Sequence, residues 1–392
     1  MGGAVPTAPE PKEPRVTMEF TFTEELEQLR SEGRALASLV PPPAPRSAPA
    51  YGDADEDVFR AVAAKGIASA CLPPEHGGRG LAIAEACALW EGLGEGTGDA
   101  GFVLALSVHA LLCAVPLWKL GTAEQRSRYL PRVATGEWAG ALSLHELEGG
   151  ASPANLEVRA ARAAAGGWLL SGSKSHVVNG SFAHHFLVTA VDDHGEVSAF
   201  VVDRESAGLS VERGTEGGDV LLLRDCPVPE RALLGSAGAA LRELLPLLTA
   251  MDSTAVLAPW LGVMQALLER ALGAARGAQA FGRPVERLQT VRFALADMRT
   301  RCELSRDLVH RAAWQLDALS EPGRQEAAVA RLFVTSAARA VTADADRVLA
   351  LAGWLTDPVA ERAASQARRL GATAGGVDAF RSVIAASLLG LG

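Results

Sequence analysis

The sequence predicts an α+β multidomain protein with an N-terminal helical domain, a central β domain and a C-terminal helical bundle. Apolar stretches with helical spacing occupy the first third of the chain, and short β-type runs separated by Gly, Asp and Asn follow. Long amphipathic stretches then continue to the end. Because strands and helices do not alternate, a doubly wound nucleotide-binding fold is disfavoured.

The first segment predicts a tail followed by a helical domain. Residues 1–18 carry several prolines and no periodicity, so we expect them to be disordered. Helical spacing covers the remainder of a predicted domain over residues 19–138. Its predicted parts are a helix starting at Thr23–Glu25, a linker Pro41–Ala50, a helix Glu56–Lys65, a loop Pro73–Gly80, and helices Ala82–Leu93 and Phe102–Leu120.

The middle segment, residues 139–236, predicts a β domain. Its strands are expected to form an antiparallel barrel or sandwich. The pair His184-His185 stands at a strand start, and we interpret both as exposed loop histidines rather than metal ligands. The predicted strands are Gly167–Ser171, His185–Ala190, Val197–Val202 and Val220–Leu223.

The last segment, residues 237–392, returns to long amphipathic helices. Long helices joined by short loops are typical of a bundle. The predicted helices are Leu241–Gln279, Val291–Leu319, Gly323–Ala352, Val359–Leu370 and Val377–Leu389.

Net charge, apolar runs and cysteine spacing argue against several classes of function. The net charge of −9 gives no reason to expect a nucleic-acid partner. We find no apolar run of the roughly 18 residues that would span a membrane, and no signal-peptide pattern at the N-terminus. The five cysteines lack metal-site spacing and are expected to be reduced thiols of a cytoplasmic protein.

Several local motifs, in order and spacing over residues 55–392, closely resemble those of the acyl-CoA dehydrogenase superfamily. Each motif is weak alone, but together they indicate a shared fold. They are Pro73–Gly80, Leu120–Gln125 with Tyr129–Pro131 and Gly136-Glu137, Ala141–Ser152, Gly172–Lys174 with Asn179-Gly180, Ser198–Asp203 with Gly208-Leu209, Pro227–Pro229 with Leu234-Gly235, and Phe281–Pro284 with Gln289 and Leu295–Met298.

The resemblance implies a four-helix bundle at the C-terminus and FAD between the β domain and two bundles. It implies a homodimer or tetramer, or a hetero-oligomer with a second dehydrogenase-like subunit. The substrate would be an acyl thioester on CoA or on an acyl carrier protein. A carboxylate removes the α-proton of such a thioester, while hydride leaves the β-carbon for the flavin.

The family's usual catalytic glutamate is missing. Alignment of the C-terminal region puts Ala374 at its position, and alanine accepts no proton. A minority branch of the family carries the base on the first bundle helix, where alignment places Asp252. Asp252 is therefore either a relocated base, shorter by one methylene, or an ordinary aspartate at a helix start or on the surface.

The flavin-binding positions are also rewritten. His176 and Val178 replace a Trp and a Thr beside the flavin ring; His176 either stacks on that ring or is an ordinary barrel residue. His145 and Ala151 replace a Thr and a Ser, and Ala278 replaces the arginine that contacts the pyrophosphate. The resemblance places cofactor contacts at Leu144, His145, Gly150, Ala151, His176, Val178, Phe281, Val285, Gln289, Arg347 and Gly376.

These replacements leave three functions open. The first is an FAD-dependent acyl-thioester dehydrogenase-like oxidoreductase with a rewritten active site. The second is a flavin-free or repurposed family member, such as the cofactor-poor partner of another subunit, because the lost side chains remove several hydrogen bonds to the cofactor. The third is a flavin monooxygenase on the same fold, which needs no carboxylate base.

Overall fold

A computed structural model of the chain describes residues 22–42, 54–146, 156–214, 218–318, 324–354, 356–371 and 376–390. It confirms the predicted order of helices, strands and helices. The expectations for residues 1–18 and for most of Pro41–Ala50 lie outside the described residues.

Six α-helices lie in the described residues of the N-terminal part, 22–42 and 54–138. Helix α6 starts at a reciprocal cap, in which Gln125 N donates to Thr122 Oγ1 and Thr122 N donates to Gln125 Oε1. Gln125 Nε2 also donates to the carbonyls of Arg231 and Leu233, so this motif ties the helix to the β domain. The helices are α1 Glu24–Leu36, α2 Glu56–Val62, α3 Ile83–Thr97, α4 Ala100–Ser107, α5 Val115–Leu120 and α6 Ala123–Ala134.

The expectation of no membrane-length apolar run was wrong. The segments Ala100–Leu120 and Ala240–Gly277 are helical, apolar and long enough to span a bilayer. However, 94% and 72% of their most apolar windows are buried inside the protein, as in core helices. Pro116 and the π-helical turn Val108–Ala114 interrupt the first segment without ending it.

Glycines bring helix α3 into backbone contact with helices on both sides. A Cβ added to Gly92 would lie 1.9 Å from Arg30 O of α1. A Cβ added to Gly262, on helix α8, would lie 1.9 Å from Glu91 O of α3. No side chain fits at such distances, so these contacts require glycine and fix the bundle against the N-terminal domain.

In the part of the central β domain that the structure describes, the strands form a mixed eight-stranded sheet. Its main path is β6-β7-β3-β2-β4-β5-β8, and β1 pairs with β4. The expected all-antiparallel pairing was wrong, because β1 runs parallel to β4, with Gly140 opposite His185. The strands are β1 Gly140–Ser143, β2 Arg159–Arg162, β3 Trp168–Val177, β4 His185–Val191, β5 Val197–Asp203, β6 Leu209–Arg213, β7 Asp219–Val228 and β8 Leu233–Leu234.

His185 is buried, which corrects the expectation of an exposed loop residue. It is 2% exposed and its ring lies 5.2 Å from that of Tyr129. Burial, followed by the charges of His109 and His184, lowers the pKa of His185 to about 3. Its neighbour His184 accepts a 3.3 Å hydrogen bond from Ala139 N. Among the described residues no group of three ligands could hold a metal ion.

The C-terminal part is a helical bundle joined by short connections. The predicted helix Leu241–Gln279 was wrong as a single element, because it breaks after Asp252. Thr254 adopts a non-helical conformation, with φ −131° and ψ −89°, and Pro259 favours a new helix start. The elements are α7 Ala240–Asp252, α8 Ala258–Gly277, a hairpin of β9 Gln279–Ala280 and β10 Arg283–Pro284, α9 Gln289–Ala318, α10 Arg324–Leu351, α11 Pro358–Leu370 and α12 Gly376–Leu389.

The five cysteines are free and buried. Burial raises the pKa of Cys71 and of Cys302 to about 12. Thiols that stay protonated are poor nucleophiles, so these side chains act as small core residues.

Candidate active site

Asp252 is the last residue of helix α7, at the break before α8. Its side chain is 22% exposed, but the Oδ2 atom is buried and accepts no hydrogen bond among the described residues. The neighbouring Met251 and Ala255 are buried. Since buried carboxylate oxygens are normally saturated with donors, this oxygen is unusual for a purely structural aspartate.

A buried arginine from helix α10 faces Asp252. Arg331 is 1% exposed, and its NH1 atom lies 3.0 Å from Asp252 O and 3.3 Å from Asp252 Oδ2. No role for Arg331 was predicted from the sequence. The signal was available, since Arg331 is a lone charge among Ala330, Leu332 and Phe333 in an otherwise apolar stretch.

A buried ion pair fixes the segment that follows β1. Lys174 Nζ lies 2.6 Å from Glu146 Oε1 and also donates to Thr189 Oγ1 at 3.3 Å. Glu146 in turn accepts hydrogen bonds from the backbone N–H groups of Glu157 and Val158. Burial of Lys174, partly offset by Glu146, lowers the pKa of that amine. The pair holds residues 144–146 against β3.

Two of the predicted cofactor-contact residues, His145 and His176, meet at this end of the β domain. Their ring centroids are 6.1 Å apart in an edge-to-face arrangement. Ser175 N donates to His145 O at 2.8 Å, which sets the relative position of the two rings. Burial, followed by the charge of His176, lowers the pKa of His145, while the charge of Asp252 acts in the opposite direction. His145 therefore lies within electrostatic reach of Asp252.

The end of strand β3 has an unusual backbone. His176 has φ +53° and Asn179 has φ +67°, values that are uncommon for residues other than glycine. Asn179 Nδ2 donates to Ala105 O of α4 at 2.8 Å and to Gly140 O at 3.3 Å. These bonds hold the turn containing Val178 against the N-terminal domain, and such strain often marks a functional site.

The remaining predicted contacts lie elsewhere. Phe281, in the β9–β10 hairpin, is 86% exposed, and Gln289 is exposed at the start of α9. Arg347 is exposed and paired with Asp344. Among the described residues no hydrogen bond, ion pair or ring contact joins these three side chains to the pair of histidines. Val285 is buried, Gly376 begins α12 with φ +77°, Leu144 precedes His145, and Gly150, Ala151 and Ala374 lie outside the described residues.

The donor set at this end of the β domain fits a flavin. An isoalloxazine ring is flat and aromatic, and aromatic rings and polar edge groups can hold it. The imidazoles of His145 and His176 supply both kinds of contact. The family resemblance places Ala278 at the position of the arginine that contacts the pyrophosphate, and this half-buried residue at the end of α8 carries no charge. The site therefore fits the cofactor with fewer charged anchors.

Family models for the three acyl-CoA dehydrogenase domains match this chain. The N-terminal domain model covers residues 23–137, the middle domain model residues 141–219 and the C-terminal domain model residues 250–389. The matches follow the order of the observed helical, β and helical regions.

Related proteins support the same assignment. An L-prolyl-[peptidyl-carrier protein] dehydrogenase of Pseudomonas fluorescens is 33% identical over 302 residues, which is 74% of this chain and 79% of the relative. The human mitochondrial short-chain specific acyl-CoA dehydrogenase is 31% identical over 335 residues, with 83% and 80% coverage. The crystal structure of the prolyl acyl carrier protein oxidase AnaB superposes with a TM-score of 0.86 at 25% identity, covering 94% of this chain and 100% of that one. The chain therefore belongs to the acyl-CoA dehydrogenase superfamily, as an FAD-dependent acyl-thioester dehydrogenase-like oxidoreductase.

Proposed function

We propose that this protein oxidises an acyl group bound as a thioester to a carrier protein, with Asp252 as the catalytic base. The observation that carries this proposal is the carboxylate at the end of α7, whose Oδ2 is buried without a hydrogen bond. Such a carboxylate has lone pairs available for a proton, and it lies within electrostatic reach of His145.

In the proposed reaction Asp252 removes the proton from the carbon next to the thioester carbonyl. The C–H electron pair left on that carbon forms a double bond to the neighbouring carbon, from which a hydride departs. FAD, when bound, supplies the hydride acceptor. The substrate thus loses two hydrogen atoms, one as a proton and one as a hydride, and the thioester bond stays intact.

The protein's own residues prepare this step. Met251 and Ala255 are buried beside the base and exclude water from one side of it. The Lys174–Glu146 pair fixes the segment that carries His145. The imidazoles of His145 and His176 would orient the flavin ring, and they replace the hydroxyl and indole groups that the family usually supplies.

We prefer a carrier protein over CoA as the group that holds the acyl chain as a thioester. Supporting it are the 33% identical relative and the structure at a TM-score of 0.86, both named for prolyl groups on carrier proteins. The 31% identical short-chain acyl-CoA dehydrogenase is the reason to keep CoA as the alternative. A cyclic amino-acyl group is accordingly the first substrate to test.

We also propose that the working form is a homo-oligomer. Phe281 protrudes from the β9–β10 hairpin with 86% of its surface exposed, although it is a large apolar side chain. A second copy of the chain would cover it, and the hairpin would then reach the cofactor of that copy. A second dehydrogenase-like subunit in place of the second copy is the alternative outcome of a mass measurement in solution.

The substrate proposal is tested by mass spectrometry of the carrier. Purified protein is incubated with prolyl-loaded carrier protein, and separately with prolyl-CoA and butyryl-CoA. The expected result is loss of two hydrogens from the prolyl carrier, with slower or no conversion of both CoA esters. Faster conversion of a CoA ester would overturn the choice of carrier, and addition of an oxygen atom would indicate a monooxygenase.

A further inference from the structure

We propose that Arg331 is a positioning residue that sets the location and charge environment of the base. This inference rests on the proposed role of Asp252. It concerns a residue on α10, separated by 79 positions from its partner, and the family motifs in the sequence do not include it.

The burial of Arg331 is the first observation. The side chain is 1% exposed, and an arginine remains charged in proteins. Removing this charge from water costs several kcal/mol unless partners compensate for it. The burial of Arg331 therefore depends on the groups that it contacts. Arg331 NH2 lies 3.5 Å from Leu370 O, at the end of α11, and the guanidinium carbon lies 5.7 Å from the ring centroid of Phe380.

The contacts to Asp252 are the second observation. Arg331 NH1 donates to Asp252 O at 3.0 Å, and the same atom lies 3.3 Å from Asp252 Oδ2. One cation therefore holds both the backbone and the carboxylate of the same residue. Oδ2 is buried, so the 22% exposure of the side chain belongs to its other atoms. The carboxylate is thus oriented with one oxygen toward the arginine and the remainder toward the open side.

A purely structural role is the competing interpretation. Arg331 contacts carbonyls at the ends of α7 and α11, where a cation is favourable for any helix. That role needs no carboxylate at position 252. Positioning makes a different prediction, namely that the effect of removing Arg331 depends on Asp252.

Arg331 and His145 bring charge to the surroundings of Asp252. Arg331 approaches from α10, and His145 acts from the segment after β1. Phe380 of α12 and the carbonyl of Leu370 contact Arg331 and carry no charge. Removal of Arg331 would leave the carboxylate without the contact that holds it in place.

The experiment compares Arg331→Met, Arg331→Lys and Asp252→Asn in the full chain with bound FAD and the prolyl carrier. Arg331→Met should lower kcat by about 10- to 100-fold with little change in KM. Arg331→Lys retains a cation near the carboxylate, so it should recover part of this loss. In an Asp252→Asn background, Arg331→Met should cause no further loss.

Arg306→Met is the matched control. Arg306 pairs with a buried carboxylate of the N-terminal domain, and its loss should lower the melting temperature without lowering kcat per folded molecule. An Arg331→Met enzyme with the kcat of the unmodified protein would overturn the positioning role. If this variant does not fold, Arg331→Lys decides: the shorter ammonium group should retain only part of the kcat, and an unchanged kcat would contradict positioning. Full activity of Asp252→Asn would instead overturn the proposed base.

Discussion

Two carboxylates of this molecule, Glu91 and Asp252, face arginines, yet their surroundings differ. Glu91 in α3 is fully buried and accepts hydrogen bonds from Arg306 Nε at 2.9 Å and from His310 Nε2 at 3.2 Å, while Arg30 Nε lies 3.3 Å away. Asp252 in α7 has an Oδ2 that accepts no hydrogen bond among the described residues, and its side chain is 22% exposed.

The difference is the one we expect between a structural carboxylate and the proposed catalytic base. Burial alone would raise the pKa of Glu91, but the hydrogen bond from His310 and the charges of Arg306 and Arg30 outweigh burial and lower it. Glu91 thus joins α3 to α1 and α9 as a saturated anion. Asp252 keeps capacity for a proton, as a general base must.

The largest effect is expected at Asp252. Replacement by Asn removes the proton acceptor and keeps the size of the side chain, so kcat should fall by roughly 10²- to 10⁴-fold. Asp252→Glu should recover part of this loss, because it restores a carboxylate with one more methylene. Steady-state rates at equal FAD content measure both. An Asn variant with more than half of the original kcat would contradict the comparison.

The matching change at Glu91 should affect stability and leave chemistry intact. Glu91→Gln leaves buried cations without their anion, which costs about 3–5 kcal/mol of the free energy of unfolding. Urea unfolding measures this loss, and kcat per folded molecule should equal that of the unmodified protein. A kcat loss comparable to that of Asp252→Asn, in folded protein, would erase the distinction between the two carboxylates.

Acid should weaken the scaffold through buried neutral histidines. Burial lowers the pKa of His109 to about 4 and of His185 to about 3. Below about pH 6.5 the unfolded chain takes up protons that the native state does not, so stability falls as pH decreases. Each histidine contributes about 1.4 kcal/mol per pH unit between about pH 6 and 4.

His185→Phe tests this pH dependence, since the Nδ1 atom of His185 has no hydrogen-bond partner among the described residues. The free energy of unfolding should fall between pH 6 and pH 4.5 in both proteins. The fall should be smaller in the variant, because about half of the combined contribution of His109 and His185 is removed. The control is His194→Gln, a substitution in an exposed turn. It should leave the change of the unfolding free energy with pH as in the unmodified protein. Identical slopes in all three proteins would contradict the assignment.

The smallest effect concerns FAD binding, for which the family resemblance places Ala278 at the position of an arginine. Ala278→Arg should strengthen FAD binding by roughly 10- to 100-fold, because hydrogen bonds to charged groups contribute about 1.5–3 kcal/mol. Gln279→Arg adds the same charge on the opposite face of the extended segment and is the control. FAD titration measures both. An equal gain of FAD affinity in both variants would indicate a general effect of the added positive charge.

The order of elements could be predicted from sequence because it depends on local periodicity. The four helices from α9 to α12 begin and end within two residues of their predicted limits. The break after Asp252 was missed, since Ser253 and Thr254 are tolerated in helices and only the following Pro259 marks a new start. That break matters, because it makes Asp252 a helix terminus.

Long-range contacts could not be predicted in the same way. The parallel pairing of β1 with β4 and the burial of His185 depend on how distant segments meet. The approach of Arg331 to Asp252 joins residues 79 positions apart, and no local pattern encodes it. The assignment of Asp252 as base stays a prediction, now with a defined environment.

The most direct test of the central claim is a single turnover without oxygen. Purified protein with bound FAD is mixed with prolyl carrier protein, and the flavin absorbance is followed, with Glu91→Gln and Asp252→Asn measured beside it at equal FAD content. The expected result is rapid bleaching in the unmodified protein and in Glu91→Gln, and bleaching slowed by at least about 10²-fold in Asp252→Asn. Bleaching of Asp252→Asn at the unmodified rate would contradict the role of Asp252 as base.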